Sequence, residues 1–119
     1  MPLKNIMMAE SLMREILDKI NKIAQKHRVK RVILFGSFSR KTQSKKSDLD
    51  LIFIKETKKR FLERTETLWG DLSQGINLPI EVLVYTPKEF NRMIKNNNPF
   101  IKRILKEGKI IYEQRKPER

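Results

Sequence analysis

The sequence predicts an α/β fold: a small mixed β-sheet with helices packed on it, in a single domain over residues 1–119. Three observations lead there. Apolar runs of strand length stand at Val32–Phe35, Leu51–Ile54 and Ile80–Tyr85. Between and around them, apolar residues recur at helical spacing with charge on the opposite side. The composition, 39% hydrophobic and 34% charged over 119 residues, describes a globular chain of one-domain size.

The first helix is predicted from about Met8 to His27, because Leu12, Met13, Ile16, Leu17, Ile20, Ile23 and Ala24 form one stripe. His27, the one histidine, stands beside Arg28 where a cation favours the helix dipole, and no catalytic role is assigned to it. Val29 to Phe35 is the first predicted strand, ended by Gly36, and Leu49 to Ile54 the second. A helix from about Lys58 to Ser73 carries Phe61, Leu62, Thr65, Leu68, Trp69 and Leu72 on one stripe. Its register makes Trp69 an anchor facing the core or a partner rather than a base-stacking residue. Gly70 is a place for that helix to fray, and Gly75 a place for it to stop.

Ile80 to Tyr85 is the third strand. Thr86-Pro87-Lys88-Glu89 then has the pattern of a capping box with proline at the first helical position. That helix runs to about Lys95. After an Asn-rich break, a last helix from Pro99 to Glu107 is expected to point Phe100, Ile101, Ile104 and Leu105 inward. Gly108 caps it, and Lys109 to Glu113 is a short strand at the sheet edge.

Composition narrows the functions. No window approaches eighteen consecutive apolar residues and the N-terminus lacks a cleavage-like site, so neither a membrane span nor a signal peptide is expected. The chain has no cysteine, which excludes disulfide and thiolate chemistry and makes the cytoplasm the expected compartment. A formal charge of +13 with pI near 10.2 favours anionic partners: nucleotide triphosphates, RNA or an acidic protein.

The chemistry concentrates in Gly36 to Leu51, GSFSRKTQSKKSDLDL. Asp48 and Asp50 enter the second strand two residues apart, so they share a face while Leu49 and Leu51 take the other. Like charges so placed repel, and a hard divalent cation such as Mg²⁺ removes the penalty through one or two carboxylates plus substrate phosphates. Upstream, Gly36-Ser37 offers a backbone that can approach a phosphate closely, and a hydroxyl. Arg40, Lys41, Lys45 and Lys46 supply cations, of which Arg40 is the strongest candidate for a triphosphate contact. Glu81 is the single acid in the third strand's apolar run, and a metal shared with Asp48 and Asp50 would explain it.

Gly-Ser, ten residues, then Asp-x-Asp resembles the signature of the nucleotidyltransferase superfamily related to DNA polymerase beta, and the short chain resembles its minimal (MNT) branch. Two departures stand out: Ser39-Arg40-Lys41 where relatives commonly read Ala-Arg-Gly, and glutamate at position 81 where the third acid is usually aspartate. The resemblance implies Mg²⁺, with two ions accommodated, on Asp48, Asp50 and Glu81, the same three residues being catalytic. It implies ATP or another NTP bound through Gly36, Ser37 and Arg40. It also implies a helical HEPN-type protein as partner, in a toxin–antitoxin pair whose MNT member transfers AMP to the HEPN protein. Whether the chain forms a homo-oligomer or meets RNA is left open. The competing expectation is a non-catalytic basic module that binds RNA or masks a protein by contact alone.

Overall fold

A computed structural model describes residues 3–36 and 48–115, with backbone alone for residues 3–10. The elements are α1 (Leu3–Lys26), β1 (Arg31–Phe35), β2 (Leu49–Ile54), a 3₁₀ turn (Phe61–Glu63), α2 (Arg64–Gly75), β3 (Ile80–Tyr85), α3 (Pro87–Lys95), α4 (Pro99–Glu107) and β4 (Lys109–Glu113). The strands form one four-stranded sheet in the order β3-β2-β1-β4. β1 runs antiparallel to β2 and β4, and β2 runs parallel to β3, so the sheet is mixed. β4 lies at an edge, as its short run implied.

Both faces of the sheet are covered, which is why β2 is a nearly unbroken apolar run rather than an alternating one. Leu49, Leu51 and Phe53 join α1 and α2 in one core, with Ile16, Ile20, Leu68 and Leu72. Ile52 and Ile54 join α3 and α4 in the other, with Ile33, Phe90, Ile101 and Ile104. Asp50 belongs to the second face by the same alternation, and it is the one β2 residue that is not buried.

Several expectations change in detail. α1 begins at Leu3 rather than near Met8. Val29 is fully buried but lies outside β1: its N–H donates to Ala24 O at 2.9 Å, closing the helix after Arg28 turns left-handed at φ 55°. α2 starts at Arg64 instead of Lys58, since the Thr57 hydroxyl accepts from Lys59 N–H at 3.1 Å and holds those residues in a turn. Gly70 does not fray α2, which continues to Gly75. The predicted stripe on that helix is half right: Leu68 and Leu72 are buried, while Leu62 is 85% and Trp69 48% exposed. On α4 only Ile101 and Ile104 face the core, because a nine-residue helix against one sheet face seats a single i, i+3 pair and leaves Phe100 and Leu105 on its flanks.

His27 has a structural partner that its sequence neighbours do not reveal. Its Nε2 lies 2.7 Å from Asp71 Oδ2, and Lys26 Nζ approaches the same carboxylate at 3.1 Å, tying the end of α1 to α2. Asp71 is held below the usual carboxylate range by these hydrogen bonds, that from His27 first. Arg64, almost fully buried, clamps α2, β3 and α3 together. It pairs in a fork with Glu89 at 2.6 and 3.0 Å and donates to the carbonyls of Val84 and Lys59. Thr86 and Glu89 complete the predicted capping box at the start of α3. Among the described residues, no helix is long and apolar enough to cross a membrane.

Candidate active site

The site is built where β1 ends and β2 begins. The antiparallel register pairs Phe35 with Asp50, so the chain leaving β1 at Gly36 passes directly beside the Asp50 side chain. Gly36 has φ +75°, a conformation that disfavours side chains, and a Cβ there would collide with Asp50 Oδ2. Glycine is therefore required at this position twice over, by its backbone angle and by the carboxylate pressed against it. Ser37, Arg40, Lys41, Lys45 and Lys46 lie outside the described residues.

On the other side of β2 the parallel register sets Asp50 level with Glu81 on β3. The two acids reach one face of the sheet, close enough for each other's carboxyl and for the charge of Asp48 to act on Asp50. Asp50 is pushed up to about 6, first by burial, then by the charge of Glu81 and their hydrogen bond, and last by Asp48. Between the ordinary aspartate value and about 6, the Asp50 carboxyl therefore keeps a proton that an isolated surface aspartate would have lost. Asp48 and Glu81 are exposed at the mouth of the site and Asp50 lies deeper.

Asp50 and Glu81 are thus brought together with Asp48 beside them, all next to the Gly36 turn. Among the described residues, no three carboxylate, imidazole or thiol groups are closed around a single point, so the trio is not a ready-made cage. The donor set nevertheless fits a hard divalent cation. Carboxylate oxygens face the site, and a 2+ charge between Asp50 and Glu81 would relieve the repulsion that raises Asp50.

A cleft of about 180 Å³ opens on the other flank of Gly36, between that turn and α4, lined by Phe35, Phe100, Arg103, Ile104 and Glu107. Sequence reading missed this wall. Position 103 sits some seventy residues from Gly36, and only the packing of α4 on the carboxylate-bearing face of the sheet joins them.

The fold and site define a mixed α/β protein with paired strand-end carboxylates beside a glycine turn. The comparisons give the family. The polymerase beta nucleotidyltransferase family model matches residues 18–117, and the chain belongs to that family: it is a nucleotidyltransferase. Two relatives come from Methanocaldococcus jannaschii. "Putative protein adenylyltransferase MJ1305" is 34% identical over 116 residues, covering 90% of this chain and 76% of that protein. "Putative protein adenylyltransferase MJ0604" is 27% identical over 101 residues, covering 83% of this chain and 96% of that protein. Among solved structures, a toxin–antitoxin complex with AMP-PNP contains a chain of the same fold. Its TM-score is 0.62 at 19% identity, over 82% of this chain and 73% of that one.

Proposed function

We propose that this chain, acting as a single nucleotidyltransferase domain, moves AMP from ATP to a protein hydroxyl with Mg²⁺. In this reading it is the antitoxin of a toxin–antitoxin pair and modifies a helical HEPN-type partner in the cytoplasm. The observation that carries the chemistry is the Asp50–Glu81 pair, with Asp48 alongside and Gly36 against it. The nucleotide and acceptor class rest on the relatives named as protein adenylyltransferases, and the paired toxin on the toxin–antitoxin neighbour that contains AMP-PNP.

Asp48, Asp50 and Glu81 would hold Mg²⁺, which supplies charge neutralisation for the triphosphate and the carboxylates alike. Gly36 lets the backbone approach the phosphates without a side chain in the way, and Ser37 and Arg40 would add a hydroxyl and a guanidinium. Glu81, exposed at the sheet edge, is placed to accept the proton of an arriving acceptor hydroxyl. The acceptor oxygen bonds to the α-phosphorus, the bond from that phosphorus to the α,β-bridging oxygen breaks, and pyrophosphate carries away the electron pair. Positioning and electrostatics provide most of the acceleration.

The test is incubation with α-labelled ATP, CTP, GTP and UTP, with and without Mg²⁺, in lysate containing any co-encoded helical protein. Label from ATP moving onto a protein, dependent on Mg²⁺ and lost in Asp50→Ala, is the expected result. Nucleotide binding indifferent to Mg²⁺, with no transfer, would favour the basic binding module instead.

A further inference from the structure

We propose that Arg103 of α4 is the leaving-group arginine of this site, its guanidinium holding the terminal phosphates of the nucleoside triphosphate as pyrophosphate departs. This rests on the nucleotidyl-transfer reading above and adds a residue from an element far from the signature stretch.

The order of the strands orders the reaction. Glu81 on β3, Asp50 on β2 and Gly36 at the end of β1 follow one another across a single face of the sheet. In-line displacement sets the acceptor oxygen and the leaving pyrophosphate on opposite sides of the α-phosphorus. With the acceptor's proton going to Glu81 and the α-phosphate beside Asp50, the pyrophosphate must extend past Gly36, away from β3. The cleft against α4 lies there, and Arg103 is its cationic wall.

The cleft's size and lining suit that part of the substrate. At about 180 Å³ it is smaller than the ~300 Å³ at which pockets begin to enclose whole small molecules, so it takes a fragment of the nucleotide. Phe100 meets Phe35 edge to face at 5.8 Å and 86°, fixing an apolar wall with Ile104 beneath. Arg103 is exposed at the mouth of this cleft, and the planar fork of arginine matches two phosphate oxygens at once. Arg103 has no ion pair among the described residues, unlike Arg31 with Glu113 and Arg64 with Glu89, while Glu107 on the same wall has interactions of its own. Asn98 caps α4 by accepting from Ile101 N–H at 3.1 Å, which holds the helix start and its Phe100 in place.

The test is calorimetric titration of the full chain with Mg²⁺–ATP and with AMP, comparing wild type, Arg103→Gln, Arg103→Lys and Lys102→Gln. Lys102 is an exposed neighbour on the same helix and controls for the loss of one charge. We expect Arg103→Gln to weaken Mg²⁺–ATP binding by about tenfold or more, the range of a charged hydrogen bond, with Arg103→Lys intermediate and Lys102→Gln close to wild type. AMP binding should be the same in all four. Equal ATP affinity in Arg103→Gln and Lys102→Gln would overturn the role of Arg103 while leaving nucleotidyl transfer intact, and so would an equal loss for AMP and ATP. A wild-type chain that binds no Mg²⁺–ATP would overturn both.

Discussion

At Asp50 the physical argument is about a proton. Its folded-state value near 6 exceeds the ordinary 3.8, so the carboxyl's contribution to stability is fully present below 3.8 and is lost as pH rises through 6. Above that pH the ionised group burdens the metal-free fold. Asp50→Asn should therefore abolish transfer and yet raise the stability of the metal-free chain at pH 7 by about 1 kcal/mol, a shift discounted for solvent screening. Calorimetric melting at pH 7 and pH 4 checks this, since the advantage of the asparagine should shrink at the lower pH. A lower melting temperature at pH 7 would contradict it. Divalent-cation binding competes with the same proton, so Mg²⁺ affinity should fall as pH drops through 6, measurable by titration at pH 7.5 and 5.5. Gly36→Ala addresses the other half of the pair. The left-handed backbone and the collision with Asp50 together should cost about 1–2 kcal/mol and displace the carboxylate. Chemical denaturation and the transfer rate should both register the change; a variant of wild-type stability would show that the turn has another conformation available.

Among the elements, α2, β3 and α3 are joined by one buried guanidinium. Arg64 takes the Glu89 carboxylate in a fork, and Glu89 is held at about 2, chiefly by that hydrogen bond. A folded value below the ordinary 4.5 means that the stabilisation is present above pH 4.5 and is lost as pH falls toward 2. Glu89→Ala leaves Arg64 with a buried charge lacking its partner and should cost about 3 kcal/mol in urea denaturation at pH 7. The difference from wild type should close as pH approaches 2; a loss that persisted there would assign the effect to the helix cap alone. This clamp was invisible in the sequence, where Arg64 reads as another cation on a charged helix. The capping box that Glu89 completes was visible, because Thr86-Pro87-Lys88-Glu89 is a local pattern. Trp69 shows the same limit from the other side. Helical spacing places it on a stripe with Leu68 and Leu72, but how wide a stripe is buried depends on what packs against α2.

For the whole molecule, a charge of +13 on 119 residues sets a long-range field that attracts triphosphates and acidic surfaces. ATP association should therefore slow severalfold between 50 mM and 500 mM salt, as screening shortens to a few ångströms. Stopped-flow measurement across that range checks it, and a rate independent of salt would confine the charge to solubility. In the sequence the cations flank the carboxylates closely, with Arg40, Lys41, Lys45 and Lys46 just before Asp48 and Lys58, Lys59 and Arg60 after β2, so the excess positive charge is concentrated around the acidic pair.

The amino-acid sequence by itself determined the element types and the spacing of Gly36, Asp48 and Asp50, because periodicity, turn chemistry and strand alternation are properties of neighbours along the chain. It also singled out Glu81, since one acid in an apolar run demands a reason. Only the tertiary structure decided that Glu81 stands level with Asp50, that a carboxylate fills the space a side chain at position 36 would need, and that α4 walls the far side of the turn. Register between strands and the docking of a helix are set by which apolar faces bury against each other, and those pairings join residues that no local pattern connects.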